Sequence, residues 1–391
     1  MLDSIFIAMS GLTGYEKGLR VISNDTANLN TPGYKGASLQ FADMFYSSGN
    51  LAGGSGGQYG YGLTTLGTRL DLKQGDLQNT GNDLDAAVDG QGLFLLRDGA
   101  GNVHGSRAGQ FKFDNTGTLV SSATGETVLG LDGSGNLVPI QLGALKVSAA
   151  KASTRLTFSG NLSSTTTTQT VSGLTVIDKT GSSHSLSARF DAVSGSPGNW
   201  TVTVLDGANT VGTGKLAFIS SQPDPANNSV TINYTPSGGQ AMPLTLDFSS
   251  NVTSYDSGSQ SSLAVASQDG YGAGAMTRAT FDPSGTLALT YSNGQSAKGQ
   301  SLALGAYTSQ DALQPVNGNE FAMAPGQTWQ IGAAGTQAFG KVKAGMIEIS
   351  NVDLSAEFSN LVIMQRGYQA SSQVVSTAND MLAQLFQMQS K

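Results

Sequence analysis

The chain has 391 residues, a length typical of two or three domains, and only 12% of them are charged, against about 25% in an average soluble domain. Its net charge of −7 argues against nucleic acid as a partner and against a polybasic membrane anchor. Cysteine is absent, which excludes disulfides and cysteine-based chemistry. Abundant glycine, 52 residues, is typical of a β-rich extracellular protein with many turns.

The N-terminal segment has the apolar periodicity of a helix that packs on another helix, up to a stop at Pro32 and Gly33. Its stripe advances in steps of three and four, broken once at Glu16: Leu2, Ile5, Met9, Leu12, Leu19 and Ile22. Three glycines weaken the helix by about 1 kcal/mol each, so we expect it to become ordered only when packed. They are Gly11, Gly14 and Gly18.

The same segment does not have the pattern of a cleaved secretory signal, because it opens with Asp3 and its apolar run breaks at Ser10 and Gly11. No stretch is long and apolar enough to insert into a membrane. We therefore expect a protein that either stays inside the cell or leaves by a route without such a signal.

The middle of the chain predicts short strands separated by turns. A glycine-rich stretch at 49–62 precedes them. The predicted strands are 66–72, 84–88, 93–96, 110–113, 118–120, 174–177, 200–205, 230–234, 244–248, 279–281, 286–291 and 301–304.

The C-terminal segment predicts a second, longer helix. Asn351 and Asp353 are candidate N-caps, and Glu357 suits the first turn. The apolar stripe is Leu354, Phe358, Leu361, Tyr368, Val375, Leu382 and Phe386, with the polar residues Gln365, Ser372 and Asn379 on the same line.

These patterns predict a mainly β fold with two nested β domains, each formed from discontinuous chain, and a terminal coiled-coil domain formed by the two end helices. The predicted boundaries are 1–30 with 353–391 for the helical domain and 31–70 for a linker. An inner β domain takes 71–147 with 269–352, and an inserted outer β domain takes 148–268.

The chain offers no convincing catalytic, cofactor or metal site. His104 and His184 lack a positioned base and acid, so we expect surface or turn histidines. The glycines of residues 90–92 lack the context of a nucleotide loop and predict a turn instead. Asp83 and Asp85 would share one face of a strand, but two solvated carboxylates are the simpler interpretation.

The terminal stripes carry the functional hypothesis. They would be either an ordinary helix pair inside one monomer or an assembly surface. Their place at the chain ends, and the polar residues that would fix register, favour assembly.

Several segments resemble the flagellar rod and hook axial proteins. Residues 24–35 (NDTANLNTPGYK) resemble the N-terminal signature of that family, and 348–355 (EISNVDLS) with 365–369 (QRGYQ) its C-terminal one. Residues 41–45 (FADMF) look specifically like hook proteins, while 84–88, 92–94 and 107–111 resemble the first β segment. The signature residues are Asn24, Ala27, Asn28, Thr31, Gly33, Tyr34, Lys35, Asn351, Val352, Asp353, Gln365, Arg366 and Tyr368.

The resemblance implies a structural subunit of the flagellar hook, a curved flexible tube that passes motor torque to the filament. It implies extracellular placement in the hook, reached by flagellar type III export without a cleaved signal. The implied partners are the chain itself, the distal rod, the hook cap and the hook–filament junction protein. No enzymatic activity and no cofactor are implied.

Two alternatives remain at this point. A distal rod protein of the same family would form a straight, rigid tube, although chain length and the segment 148–268 favour a hook protein. A secreted β-rich adhesin or enzyme would be active as a monomer without its ends, but no set of acid, base or metal ligands supports it.

Overall fold

The computed structural model describes residues 2–44, 46–48, 58–336 and 338–389, and shows a mainly β protein with a helix at each end. Helix α1 spans Leu2–Ala27 and helix α2 spans Leu354–Gln389, or about 39 and 54 Å of helix. Both predicted terminal helices are confirmed, and they pack against each other. Among the described residues, no helix combines the length and apolarity needed to cross a membrane.

Between the helices the chain forms short strands that are mostly antiparallel. The first twelve are β1 (Ala37–Asp43), β2 (Tyr46–Ser48), β3 (Gln58–Gly60), β4 (Leu63–Leu70), β5 (Leu77–Asn79), β6 (Ala86–Asp89), β7 (Leu93–Arg97), β8 (Val103–Ser106), β9 (Phe111–Phe113), β10 (Leu119–Ser121), β11 (Thr127–Leu131) and β12 (Leu137–Pro139). The next eleven are β13 (Val147–Ser148), β14 (Arg155–Asn161), β15 (Thr168–Ile177), β16 (Ser183–Ala192), β17 (Asn199–Asp206), β18 (Asn209–Ile219), β19 (Gln222–Pro223), β20 (Ser229–Tyr234), β21 (Met242–Asp247), β22 (Val252–Thr253) and β23 (Ala264–Gln268). The last are β24 (Gly274–Phe281), β25 (Thr286–Tyr291), β26 (Ser296–Ala306), β27 (Leu313–Val316), β28 (Glu320–Met323), β29 (Gln330–Ala333), β30 (Lys341–Ala344) and β31 (Met346–Glu348).

The chain divides into two compact units. The first unit comprises Met1–Gly143, Ala279–Ala288 and Lys298–Lys391, and the second comprises Ala144–Arg278 and Leu289–Ala297. Three segments that we predicted to belong with the inner β domain group instead with the second unit: 144–147, 269–278 and 289–297. The hydrogen-bonded neighbours of a strand, rather than its position in the sequence, decide which unit the strand joins.

The first unit contains both terminal helices and the sheet around β7, β8, β11 and β28. Strands from the two halves of the chain pair directly, since β5 pairs with β31 and β6 with β30. Part of the segment predicted as a linker forms an antiparallel strand pair, β1 with β4. Phe45 and residues 49–57, which belong to predicted motifs, lie outside the described residues.

The second unit is built from two five-stranded sheets. One is the antiparallel series β15–β16–β17–β18–β19, and the other joins β20, β21, β14, β22 and β23. Buried residues alternate with exposed ones along these strands, as in β20, which places one face of each strand in a core. The rings of Phe158, Phe190 and Phe248 meet at the centre of that core, with centroids 4.6 to 6.3 Å apart.

A partly exposed hydrogen-bond network around Asp269, near the ends of the second unit's longer segment, gives a prediction about pH. Asp269 accepts hydrogen bonds from the Thr154 amide (2.8 Å), the Thr154 hydroxyl (2.6 Å) and the Arg155 amide (2.9 Å). Partial burial acts to raise the pKa of this carboxyl, but the hydrogen bonds outweigh it and lower the pKa to about 2. Its stabilising effect is thus complete above about pH 4 and is lost as the pH falls toward 2.

We expect Asp269→Asn to destabilise the second unit by on the order of 1 kcal/mol above pH 4, discounted for partial exposure. The difference from the unsubstituted chain should shrink between pH 4 and pH 2, because the wild-type carboxyl becomes protonated there. Urea unfolding at several pH values, followed by the fluorescence of Trp200 in a Trp329→Phe background, measures this. An equal difference at pH 2 and pH 6 would contradict it.

Three expectations about polar residues need correction. His104 lies in β8 and His184 in β16, and both are partly buried beside carboxylates rather than in surface turns. Asp85 is buried, where it accepts hydrogen bonds from the Thr80 hydroxyl (2.6 Å) and the Asn82 amide (2.9 Å). A buried carboxylate needs such donors, and the sequence pattern alone did not reveal them.

Candidate assembly surface and its anchor

The two terminal helices run antiparallel and touch through small residues. A Cβ atom placed on Gly11 would lie 2.8 Å from the Ser371 hydroxyl oxygen, and one on Gly18 would lie 2.9 Å from the Met364 sulfur. Conversely, a Cβ on Gly367 would lie 2.5 Å from the Tyr15 ring. Residues with rising numbers along α1 contact residues with falling numbers along α2. These pairs define the direction and register of the seam.

The glycines of α1 therefore have a packing role. Gly14 faces a different neighbour, since a Cβ there would lie 2.4 Å from a methyl group of Leu63 on β4 and 3.3 Å from the Phe41 ring on β1. Lys17 also donates a hydrogen bond to the Thr65 hydroxyl (3.1 Å). The low helix propensity that we predicted as a weakness is offset by close approach on two sides.

Gly367 offers a direct test of this seam. In an exposed helix, Gly→Ala is stabilising by roughly 1 kcal/mol, but the added methyl group here would overlap the Tyr15 ring. We expect Gly367→Ala to destabilise the first unit by about 1–3 kcal/mol, the usual cost of overpacking. Thermal unfolding monitored at 222 nm measures it, with Ser372→Ala on the exposed face as the control that should be neutral or stabilising.

The predicted stripes coincide only partly with the face that is covered. On α1, Ile22 is buried, but Met9 is 56% exposed. On α2 the predicted large residues are uncovered at 54% for Phe358, 41% for Tyr368 and 69% for Phe386. The predicted residues that are at least partly covered are Ile5, Leu12, Leu19, Ile22, Leu354, Leu361, Val375 and Leu382, and the side chain of Leu2 lies outside the described residues.

The covered face of α2 is turned by about one position from the predicted stripe. Its additional members are Glu357, Met364, Gly367, Ser371 and Ala378. Gln365, Ser372 and Asn379, which were predicted to fix register between subunits, are exposed in the monomer. The covered face of α2 uses small side chains, which close helix contacts favour because they let backbones approach.

The helices consequently leave an apolar outer surface. We use outer face for the exposed large apolar side chains of the pair: Phe6, Ile7, Met9, Phe358, Val362, Ile363, Tyr368, Val374, Met381, Leu385, Phe386 and Met388. An exposed apolar surface of this extent on one helix pair marks an interaction surface, because water contact with it is unfavourable.

The end of α1 is fixed to β1 by a buried carboxylate. The Tyr34 hydroxyl donates to Asp25 (2.7 Å), and the Ala37 amide donates to the other oxygen of Asp25 (3.0 Å). Asn24 in turn donates its side-chain amide to the Tyr34 oxygen (2.7 Å). Burial and the hydrogen bond to Asp25 raise the pKa of Tyr34, so this phenol stays protonated and keeps donating.

A buried ion cluster lies beside this contact. Glu348 is fully buried and forms one ion pair with Lys35 and another with Arg107. The Arg107 Nη1 atom lies 3.1 Å from the Glu348 Oε2 atom. The Gly75 amide also donates to Glu348 (2.9 Å), while Arg107 donates to the carbonyls of Val88 (3.0 Å) and Gly90 (2.7 Å). Burial lowers the pKa of both cations, an effect that Glu348 partly offsets.

Backbone contacts complete what we call the anchor, the junction of residues 24–37, 107–109 and 348–353. Gly33 has φ +70°, and a Cβ there would lie 2.4 Å from the Ala108 nitrogen, so only glycine fits. The Gly33 amide donates to the Glu348 carbonyl (2.7 Å). Because partners come from both ends of the sequence, the anchor joins the start of α2 to the end of α1.

Comparisons with known proteins agree with these features. The family described as "Flagellar basal body rod FlgEFG protein C-terminal" matches residues 343–388. The flagellar hook protein FlgE of Salmonella typhimurium is 30% identical over 405 residues, covering 96% of this chain and 97% of that protein. The chain belongs to the flagellar hook protein family.

Other hook proteins extend the similarity. FlgE of Escherichia coli is 29% identical, with 96% of this chain and 97% of that one covered, and FlgE of Treponema pallidum is 27% identical, with 98% of each covered. The solved structure of FlgE2 from Helicobacter pylori has 15% sequence identity and a TM-score of 0.49, and covers 69% of this chain and all of that one. As a member of the hook protein family, the chain is a structural subunit of the flagellar hook that polymerises with itself, and not an enzyme.

The structure brings together most of the residues that the hook family signature singled out. Asn24, Tyr34 and Lys35 lie in the anchor with Gly33. Asn28 accepts from the Thr31 hydroxyl (3.0 Å) in the turn that ends α1. Ala27 is exposed at the edge of the anchor, and three signature residues lie outside it on the exposed side of α2: Gln365, Arg366 and Tyr368.

The two predicted N-caps have different roles. Asp353 caps α2, because it accepts from the Ser355 amide (2.9 Å) and the Ala356 amide (3.2 Å). Asn351 is not a cap: its oxygen accepts from the Gly36 amide (2.9 Å), and its nitrogen donates to the Asp71 carbonyl (2.7 Å). Val352 packs next to it, 3.3 Å from the position of a Cβ on Gly36.

Sequence reasoning missed three residues of the anchor. Asp25, Arg107 and Glu348 all lie within motifs of the family resemblance, but none of them was selected as a signature residue. The signal that points to them is the low overall charge of the chain, which makes a charged residue inside a motif unusual.

Proposed function

We propose that the terminal helices carry the polymerisation of this hook subunit. In this proposal, outer faces of neighbouring copies pack as coiled coils and form the inner wall of a tube, and the β units, nested one within the other along the chain, form its outer layers. The observation that best supports this proposal is the apolar outer face, which is exposed to solvent in a single monomer.

The anchor supports the same proposal. Force on the helices has to reach the β strands of the first unit, and buried ion pairs and hydrogen bonds between residues 24–37 and 348–353 connect the two. The tube then bends as a universal joint that passes torque from rod to filament. Outer surfaces poor in charge exchange contacts during rotation without breaking strong ion pairs.

The remaining partners follow from the family. The chain leaves through the flagellar type III export apparatus without a cleaved signal, and it assembles beneath a hook cap onto the distal rod. The finished tube then meets the hook–filament junction protein.

A truncation experiment tests the role of the ends. The full chain should form tubes visible by electron microscopy, whereas a chain lacking residues 1–30 and 354–391 should stay monomeric. Sedimentation measures the fraction assembled, and Trp329 and Trp200 fluorescence shows whether each unit is folded. Tubes formed by a folded truncated chain would contradict the proposal.

A further inference from the structure

Two acids and a histidine converge in the first unit outside the helical surface. His104 Nδ1 lies 3.2 Å from Glu320 Oε2 and 3.6 Å from Glu126 Oε2. One oxygen or nitrogen from each residue lies within 4.8 Å of the others. The distance between two ligands of a tetrahedral zinc ion is about 3.4 Å for bonds of 2.0–2.2 Å, so the spacing suits a common ion.

Strand pairing explains why these side chains meet. Glu320 on β28 is opposite Ser106 on β8, two residues from His104, so both side chains point to the same face of the sheet. His104 is opposite Leu96 on β7, and Leu96 is opposite Val128 on β11. Glu126, two residues before Val128, continues that face.

Some carboxylate oxygens of the cluster lack hydrogen-bond partners. Glu320 is only 2% exposed, and its Oε1 has no hydrogen-bond donor, as is true of Glu126 Oε2. A buried carboxylate oxygen without a donor is costly.

We propose that His104, Glu126 and Glu320 bind one divalent transition-metal ion of the zinc class. Imidazole nitrogen suits such ions, and two carboxylates would neutralise their charge inside the protein. Partial exposure of His104 and Glu126 leaves a path for entry. The ion would join β8, β28 and the turn before β11.

The position gives the ion a structural consequence. Asn319, next to Glu320, donates its side-chain amide to the Pro32 carbonyl (2.9 Å), so β28 already contacts the anchor. An ion at Glu320 would hold that edge of β28 in place. The site thus links metal supply to the rigidity of the junction beneath the helices.

Calorimetric titration of the full chain with zinc chloride, after EDTA treatment and dialysis at pH 7.5, tests the proposal. We expect one saturable site, an affinity at least tenfold weaker in Glu320→Gln and His104→Gln, and an EDTA-reversible rise in Tm of a few degrees. His184→Gln is the matched control, because the chain has only two histidines and His184 pairs with Asp178 instead. That variant should bind zinc unchanged.

Two results would overturn the proposal. One is the absence of a saturable zinc site. If Glu320→Gln then also raises Tm without metal, the two acids simply share a proton. The other is zinc binding that survives Glu320→Gln and Glu126→Gln but is lost in His184→Gln. Circular dichroism confirms that each variant is folded, and Glu126→Gln replaces Glu320→Gln if that variant does not fold.

Discussion

Glu348→Gln is expected to destabilise the first unit by about 3–5 kcal/mol, the cost of removing one partner from a buried ion pair. The amide would leave Lys35 and Arg107 as two buried cations without a counter-charge. Nearly complete burial of these side chains means that water cannot replace the lost carboxylate. The loss is large compared with the total stability of a typical domain.

Urea unfolding measures this loss, with Trp329 as the reporter of the first unit in a Trp200→Phe background. Glu16→Gln is the matched control, because Glu16 pairs with Arg20 at 2.5 Å on the surface of α1, where such pairs contribute about 0.5 kcal/mol or less. A loss below about 1 kcal/mol for Glu348→Gln would mean that the cluster is not the anchor described above.

Replacing two residues of the outer face, Phe358→Ser with Ile363→Ser, is expected to prevent assembly while sparing the monomer. Both side chains are more than half exposed, and surface substitutions usually change stability by no more than about 0.5 kcal/mol. In a tube each would be buried, at about 1.5–3 kcal/mol apiece. The critical concentration for polymerisation should therefore rise at least tenfold, as about 1.4 kcal/mol corresponds to a factor of ten.

Sedimentation and electron microscopy follow assembly, and thermal unfolding checks the monomer. The matched control is Val193→Ser with Ile219→Ser, which removes two exposed apolar residues from the second unit and should leave the critical concentration unchanged. Normal tubes from the Phe358 and Ile363 variant would show that the outer face is not the polymer interface. Equal loss in the control would show a general effect of hydrophobicity.

The ends of this protein were predictable from sequence because helix periodicity is local. Steps of three and four residues identified both helices, and Asp353 was correctly selected as a cap. The face of α2 that packs on α1 within the monomer was not predicted. The predicted stripe follows large apolar residues, whereas this seam uses Gly367 and Ser371 and leaves Phe358 exposed.

The strands and the anchor were harder to predict for a different reason. Strands β14, β16 and β18 were missed because threonine, serine and glycine dilute their alternation, and their order depends on partners far along the chain. The anchor needs three-dimensional neighbours in the same way. No local pattern shows that Glu348 meets Lys35, since only the folded chain brings these charges together.

The contacts between α1 and the C-terminal segment also determine the order in which parts of one chain fold. Lys35 and Glu348 are 313 residues apart, so the contacts that fix α1 form only when the last part of the chain is present. Until then α1, with its three glycines, has little intrinsic tendency to stay helical. A chain without its C-terminal segment therefore lacks the partners that hold α1 in place, and an incomplete molecule has no ordered helix pair to present.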